Sequence, residues 1–163
     1  MAKVIAICGK ICSGKTWYAR QLREQEQAVI LSCDEVTKAL FNNDLGEGHD
    51  AMTEKIRSYL MNKSLELVAA GCTVILDWGF WGREYRQSFT DFFQTRGVAL
   101  EWHYVAVTEE LWQQNIRERN QRILEGLGGS DYFLDEGLMK KLQSKWEEPT
   151  PLEIPIRYVP VRE

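Results

Sequence analysis

No apolar run in this 163-residue sequence approaches the ~18 to 20 residues that a bilayer-spanning helix needs, which excludes a transmembrane role. The opening residues, MAKVIAICGK, lack a long apolar segment with a small-residue cleavage site, so the mature protein is expected to begin here and to work in the cytoplasm. The cysteines at 8, 12, 33 and 72 form neither a CxxC pair nor a Cys/His quartet at zinc-finger spacing. That argues against a structural zinc site and, in that compartment, against disulfides. Cys8 and Cys72, in or beside apolar runs, are expected as small buried hydrophobes. Basic charge is not in excess: 20 Lys and Arg stand against 24 Asp and Glu, and the formal charge of -4 offers nucleic acid no bulk attraction, leaving only a local basic site. Internal repeats, low-complexity tracts and linkers rich in Pro, Gly and Ser are also missing. With 44% hydrophobic residues, too many for a disordered segment, residues 1–163 are expected to form one domain.

What is present is a series of apolar, partly β-branched runs: Val4 to Cys8, Ala28 to Leu31, Thr73 to Leu76, Val98 to Val107 and Ile156 to Val161. Continuous apolar strands interleaved with helical segments indicate a parallel sheet covered on both faces, hence a three-layer α/β fold. Met52 to Ala70 reads as a crossover helix with Gly71 as its cap, Gly82 to Arg96 as a second helix, and Glu109 to Leu124 as a third that stops in GLGGS. Flexible stretches are expected around FNNDLGEGHD and GLGGSD.

Directly after the first strand, Gly9-Lys10-Ile11-Cys12-Ser13-Gly14-Lys15-Thr16 fits G-x-x-x-x-G-K-[ST] at every fixed position. From ordinary residue usage, a chance match in this length arises roughly once in two hundred. Gly9 and Gly14 let the backbone curl so that successive N–H groups face an anion, which the N-terminus of the following helix also favours. Lys15 can then reach the β and γ phosphates of a nucleoside triphosphate, and the Thr16 hydroxyl can complete the coordination of a magnesium ion. No Asn-Lys-x-Asp guanine-reading motif is present, which favours ATP over GTP.

In an open parallel sheet, ligands gather beyond the carboxyl ends of the strands. The acids there are Asp34, after AVILSC, and Asp77, after TVIL. Asp34 is expected to accept the proton of an attacking hydroxyl and Asp77 to support the metal. The alternatives are an N-cap role for Asp34, with a helix starting at Glu35, and a turn role for Asp77. Arg117, Arg119 and Arg122 precede a glycine-rich segment that could close as a flap and stabilise the transferring phosphoryl group, or else pair with Glu118 and Glu125. Trp78, Phe80 and Trp81 suit either an aromatic wall for an acceptor or packing under the next helix. Arg83 and Arg86 could hold a phosphate, or pair with Glu84 and solvent, and His49 is a lone histidine in a loop with a minor chance of touching the acceptor.

With the phosphate loop, the Asp34 region, VILDWGFWGREYRQ, RERNQR and WEEPTP, the chain resembles the small P-loop kinases grouped with zeta toxins, chloramphenicol phosphotransferase and the kinase domain of polynucleotide kinase. It is most similar to bacterial predicted kinases in which D-x-G-F-W follows strand three and R-N sits in the lid helix, here Asp77, Gly79, Phe80, Trp81, Arg119 and Asn120. The resemblance implies strand order 2-3-1-4-5, a lid at about residues 117–134, ATP with magnesium as donor, and Asp34 as base for an acceptor hydroxyl. The family's lid arginine falls on Arg119, with Arg117 and Arg122 beside it. Trp146-Glu147-Glu148-Pro149 looks like the family's Phe-Glu-Pro-Pro stretch, departing at two positions. The expected activity is transfer of the γ-phosphoryl group of ATP to a small-molecule hydroxyl such as that of an antibiotic, nucleoside or sugar. The alternatives are a polynucleotide 5′-hydroxyl kinase, a sugar-nucleotide kinase of the zeta-toxin kind, or an ATP-dependent switch without an acceptor. Acceptor specificity is expected in residues 41–55 and the aromatic loop.

Overall fold

The apolar run Val4 to Cys8 forms a strand buried at all five positions in the computed structural model, which describes residues 1–42, 46–129 and 131–162. Residues 43–45 of the segment expected to choose the acceptor, and Ser130 of the expected lid, lie outside the described residues. In chain order the elements are β1 (Val4–Cys8), α1 (Lys15–Glu26), β2 (Val29–Leu31), α2 (Cys33–Phe41), a 3-10 turn (Gly46–Gly48), α3 (His49–Ala69), β3 (Val74–Gly79), α4 (Arg83–Gln94), β4 (Leu100–Val105), α5 (Glu109–Leu124), α6 (Glu136–Lys145) and β5 (Ile156–Tyr158). The five strands form one sheet in the order β2-β3-β1-β4-β5, with every neighbouring pair parallel.

Strand side chains alternate between faces, so one apolar strand supplies two cores. Ile5 and Ile7 join Ile75, Val105 and the α1 residues Ala19 and Leu22 on one side. Val4, Ala6 and Cys8 join Val74, Leu76 and the α4 residues Phe89 and Phe93 on the other. The three-layer expectation and the strand order are both met. Edge strands β2 and β5 have three residues each, shorter than their apolar runs, and β4 is likewise shorter than its run. Central β3 instead runs on past Leu76 through Asp77 and Trp78 to Gly79.

Three elements differ from the sequence reading. His49 is not in a loop: it opens α3, which begins three residues earlier than expected. Helix α6 was not anticipated; Asp135 caps it, its side chain accepting from the Leu138 N–H at 2.7 Å. Cys72 is half-buried rather than buried, whereas Cys8 and Cys33 are buried, and all four cysteines are free. No helix among the described residues is long and apolar enough to cross a membrane.

Candidate active site

The β1–α1 connection is wound tightly enough that a side chain at Gly9 would meet Ser13 Oγ at 2.8 Å and Lys15 Cγ at 3.0 Å. Two of its residues, Cys12 (φ 59°) and Gly14 (φ 95°), lie in the left-handed region. Glycine enters that region freely, whereas for Cys12 it costs on the order of 1–3 kcal/mol. Helix α5 holds the strained segment: Trp112 Nε1 donates to the Ile11 carbonyl at 2.7 Å and Asn115 Nδ2 to the Cys12 carbonyl at 2.9 Å. Lys10 extends its ammonium over the Trp112 ring, 4.3 Å from the centroid.

Two features of the loop fit a phosphate chain. Gly14, the N-cap of α1, offers no side chain to the free N–H groups of the first turn, so these remain open to an anion. Ser13 Oγ is buried, 1% of the residue being exposed, and has no hydrogen-bond partner among the described residues. Lys15 Nζ meanwhile donates to the Lys10 carbonyl at 3.1 Å, so the ammonium is curled back over the loop. Burial pushes the Lys15 pKa down, and the carboxylates of Asp77 and Asp34 oppose that shift.

The same charges place the two acids. Burial raises the Asp77 carboxyl above the usual carboxylate range, Lys15 counteracts this, and Asp34 adds to it. Asp34, Asp77 and Lys15 thus share one electrostatic neighbourhood at the carboxyl edge of the sheet. The helix carrying Asp34 starts at Cys33 rather than Glu35, and its N-cap is Ser32, whose hydroxyl accepts from the Glu35 N–H at 3.2 Å. Asp34 is therefore not the cap, and its exposed carboxylate is free to face the site. Asp77 is likewise not a turn residue, since β3 carries it two positions short of the strand's end.

Thr16 stands exposed at the first turn of α1, one residue past Lys15. No group of three or more His, Cys, Asp or Glu able to hold a metal is found among the described residues. Magnesium takes oxygen donors, usually only one or two of them from protein beside substrate phosphates, and the Thr16 hydroxyl and Asp77 carboxylate expected to serve it are donors of that kind.

The arginines separate. Arg119 reaches the phosphate loop, with one terminal nitrogen 3.8 Å from Cys12 Sγ and the other donating to the Tyr132 carbonyl at 3.4 Å, while its guanidinium lies 5.2 Å from the Tyr132 ring centroid. Arg117 and Arg122 are exposed on α5 and make no hydrogen bond to that loop among the described residues. The expected pairing with Glu118 and Glu125 does not form either: Glu118 pairs with Arg162, and Glu125 accepts from Gln121 at 2.9 Å. Asn120 ties down the far end of the lid segment, donating to the Leu134 carbonyl at 2.9 Å and accepting from its N–H at 2.8 Å.

Arg86 departs furthest from expectation. It neither faces a phosphate nor pairs with Glu84: it is 2% exposed, donates to Glu153 at 2.6 and 3.2 Å, and donates to the Phe80 carbonyl at 2.9 Å. Arg83 is exposed at the start of α4. The aromatic segment also divides. Phe80, at φ 50° and 1% exposure, is core under Phe89 and Trp102. Trp78 is half-buried and ties β3 to the end of β2 through its Nε1 bond to the Leu31 carbonyl at 2.9 Å. Trp81 lines a small apolar recess with Lys10, Ile11, Trp112 and Trp146.

Trp112, Asn115 and Tyr132 escaped the sequence reading. Trp112, Asn115 and Arg119 recur three and four apart, which is the spacing of one helix face, so the face that grips the loop was open to detection. Tyr132 had no such signal, because a loop has no periodicity to read.

A parallel sheet of this order, entered through a phosphate loop, is the P-loop kinase fold. Within it, the chain belongs to the family described as AAA domain, whose model matches residues 4–148. No match is found among curated proteins. Among solved structures, the APS kinase CysC of Mycobacterium tuberculosis, in complex with AMPPNP and APS, aligns with a TM-score of 0.68 at 17% identity, covering 99% of this chain and 90% of that one. A gluconokinase of Sinorhizobium meliloti aligns with a TM-score of 0.59 at 14% identity over 99% of this chain and 84% of its own. Kti12 of Chaetomium thermophilum, in complex with ADP-AlF3, aligns with a TM-score of 0.64 at 21% identity, covering 96% and 87%. At such identities the likeness is one of fold.

Proposed function

We propose that the protein is an ATP-dependent phosphotransferase that moves the γ-phosphoryl group to a hydroxyl of a small molecule. The observation that carries this reading is the exposed Asp34 carboxylate within electrostatic reach of Lys15. A P-loop protein that only binds nucleotide has no need of a second, exposed acid beside the phosphate lysine. The roles proposed are these. Residues Gly9 to Thr16 cradle the triphosphate through backbone N–H groups, and Lys15 swings from the Lys10 carbonyl to the phosphates. Thr16 and Asp77 would hold magnesium, which supplies charge neutralisation on the triphosphate. Asp34 takes the proton of the acceptor hydroxyl. The segment at about 117–134 acts as the lid, with Arg119 bringing its guanidinium to the transferring group. Catalysis then rests on positioning and electrostatics.

The test is transfer of labelled γ-phosphate from ATP and magnesium to a panel of aminoglycosides, phenicols, nucleosides, sugars, sugar nucleotides, sugar acids, phosphorylated alcohols and a 5′-hydroxyl oligonucleotide. Label on one compound is expected. Label released only as free phosphate, at a rate no panel member changes, would turn the reading toward a nucleotide-dependent switch.

A further inference from the structure

Two hydrogen-bond donors beside the Asp34 helix have nothing to donate to. Arg57 of α3 lies with its guanidinium 5.4 Å from the ring centroid of Tyr85 in α4. Its Nε and the Tyr85 hydroxyl are both closed off from solvent and both lack a partner among the described residues. Burial pushes the Tyr85 phenol up to about 12, so it stays protonated and able to donate. An arginine has N–H donors and no acceptor, and native chains leave few buried donors unpaired. For these two atoms an acceptor is missing among the described residues.

The location gives that omission a purpose. Helices α2 and α3 pack through Cys33, Ile56 and Leu60, with Trp78 against them. Arg57 acts on the Cys33 thiol both electrostatically and through a side-chain hydrogen bond, and Cys33 directly precedes Asp34. The guanidinium is therefore within a small molecule's reach of the acid assigned to the acceptor hydroxyl. One arginine nitrogen is engaged, donating to Glu54 at 2.8 Å. That carboxylate sits one helical turn away on the surface, with 64% of its side chain exposed. Exposed pairs of this kind contribute little, so another oxyanion can replace Glu54 at small cost. Arginine's planar fork is shaped for a carboxylate or a phosphate.

We propose that the acceptor is an anionic alcohol, a small hydroxyl compound carrying a carboxylate or phosphate group, and that Arg57 with Tyr85 binds this group in place of Glu54 while the hydroxyl lies at Asp34. The substrate class rests on the phosphotransferase reading above; the oxyanion site itself does not.

The chain, loaded with AMPPNP and magnesium so that the phosphate loop is filled, is titrated with inorganic phosphate and separately with malonate, followed by calorimetry. One oxyanion is expected to bind besides the nucleotide, with phosphate or malonate the tighter according to which group the acceptor carries. Arg57→Gln is expected to weaken it at least tenfold and Glu54→Gln to tighten it. Tyr85→Phe is expected to weaken it severalfold while leaving the melting temperature unchanged or raised, since it removes an unpaired buried hydroxyl. A purely structural tyrosine would lose stability instead. If Arg57→Gln does not fold, the opposite shifts of Glu54→Gln and Tyr85→Phe decide. No binding to the loaded chain, or binding that these substitutions leave alone, overturns the site. Label transferred to neutral sugars at a rate unchanged in Arg57→Gln overturns the substrate class while phosphotransfer stands. Oxyanion binding that depends on Arg57, with no label passed to any sugar acid or phosphorylated alcohol, keeps the site and sinks the phosphotransferase reading.

Discussion

The residues proposed to hold the phosphates are the consecutive Gly9 to Thr16, whereas those proposed for the acceptor, Asp34, Arg57 and Tyr85, come from α2, α3 and α4 and meet beside Trp78 of β3. The first is a local device: strand, tight loop and helix N-terminus suffice, and α5 only braces it through Trp112 and Asn115. The second depends on α2, α3 and α4 being packed together. A local device tolerates change elsewhere in the chain, while an assembled one depends on the packing of each contributor. The lysine that joins the halves is itself poised between them, held by the loop through the Lys10 carbonyl and drawn by Asp34 and Asp77.

Substitutions can drive the two halves apart. The largest effect is expected from Asp34→Asn, which keeps size and removes the proposed base. Transfer should fall by about 10²- to 10⁴-fold with the ATP dissociation constant unchanged, measured by labelled transfer beside nucleotide titration. Transfer at the wild-type rate would remove Asp34 from the mechanism. Next, Arg86→Met leaves Glu153 and the Phe80 carbonyl without their donor, and should cost about 3 kcal/mol of fold stability by denaturant unfolding. The folded fraction should still bind ATP normally, because Arg86 braces the aromatic loop and touches no phosphate position. Arg119→Lys keeps the charge and loses the fork that spans Cys12 and Tyr132. A drop in transfer on the order of tenfold to a hundredfold is expected, with little change in stability.

The smallest effect concerns Asp77. Its raised pKa means that the folded state disfavours the charged carboxylate, so the penalty is full above the folded pKa and is relieved as pH falls through it. Asp77→Asn should therefore melt higher than wild type at neutral pH, by the ~2–4 °C that about 1 kcal/mol moves a chain of this size, and the gap should close on acidification. Nucleotide binding in the same variant should lose part of its response to magnesium. A variant that melts lower at neutral pH would place Asp77 in a stabilising pair instead.

Much of the frame could be read without coordinates. The strands announced themselves as apolar runs, α5 lies where its expected range of about 109–124 put it, and the phosphate loop was legible because its requirements are backbone requirements of consecutive residues. The strand order came from family resemblance, since no local pattern states which strand lies beside which. Arg86 shows the limit on the site. Its neighbour Glu84 is one turn of thought away in sequence, yet its true partner, Glu153, lies 67 positions on. Helix α6 went unread because no residue of it is buried, which leaves little apolar periodicity to see. Arg57 and Tyr85 went unread for a related reason: a polar residue in a helix looks like surface until its neighbours are known.

The sequence by itself determined that a parallel α/β sheet would present a phosphate loop and two acids at one edge, because strand hydrophobicity and loop stereochemistry are local properties. Only the tertiary structure decided which arginine reaches the loop, which is buried in an ion pair, and which keeps a buried Nε without a partner among the described residues. The reach of a long charged side chain depends on what packs around it, and that is decided by residues distant in sequence.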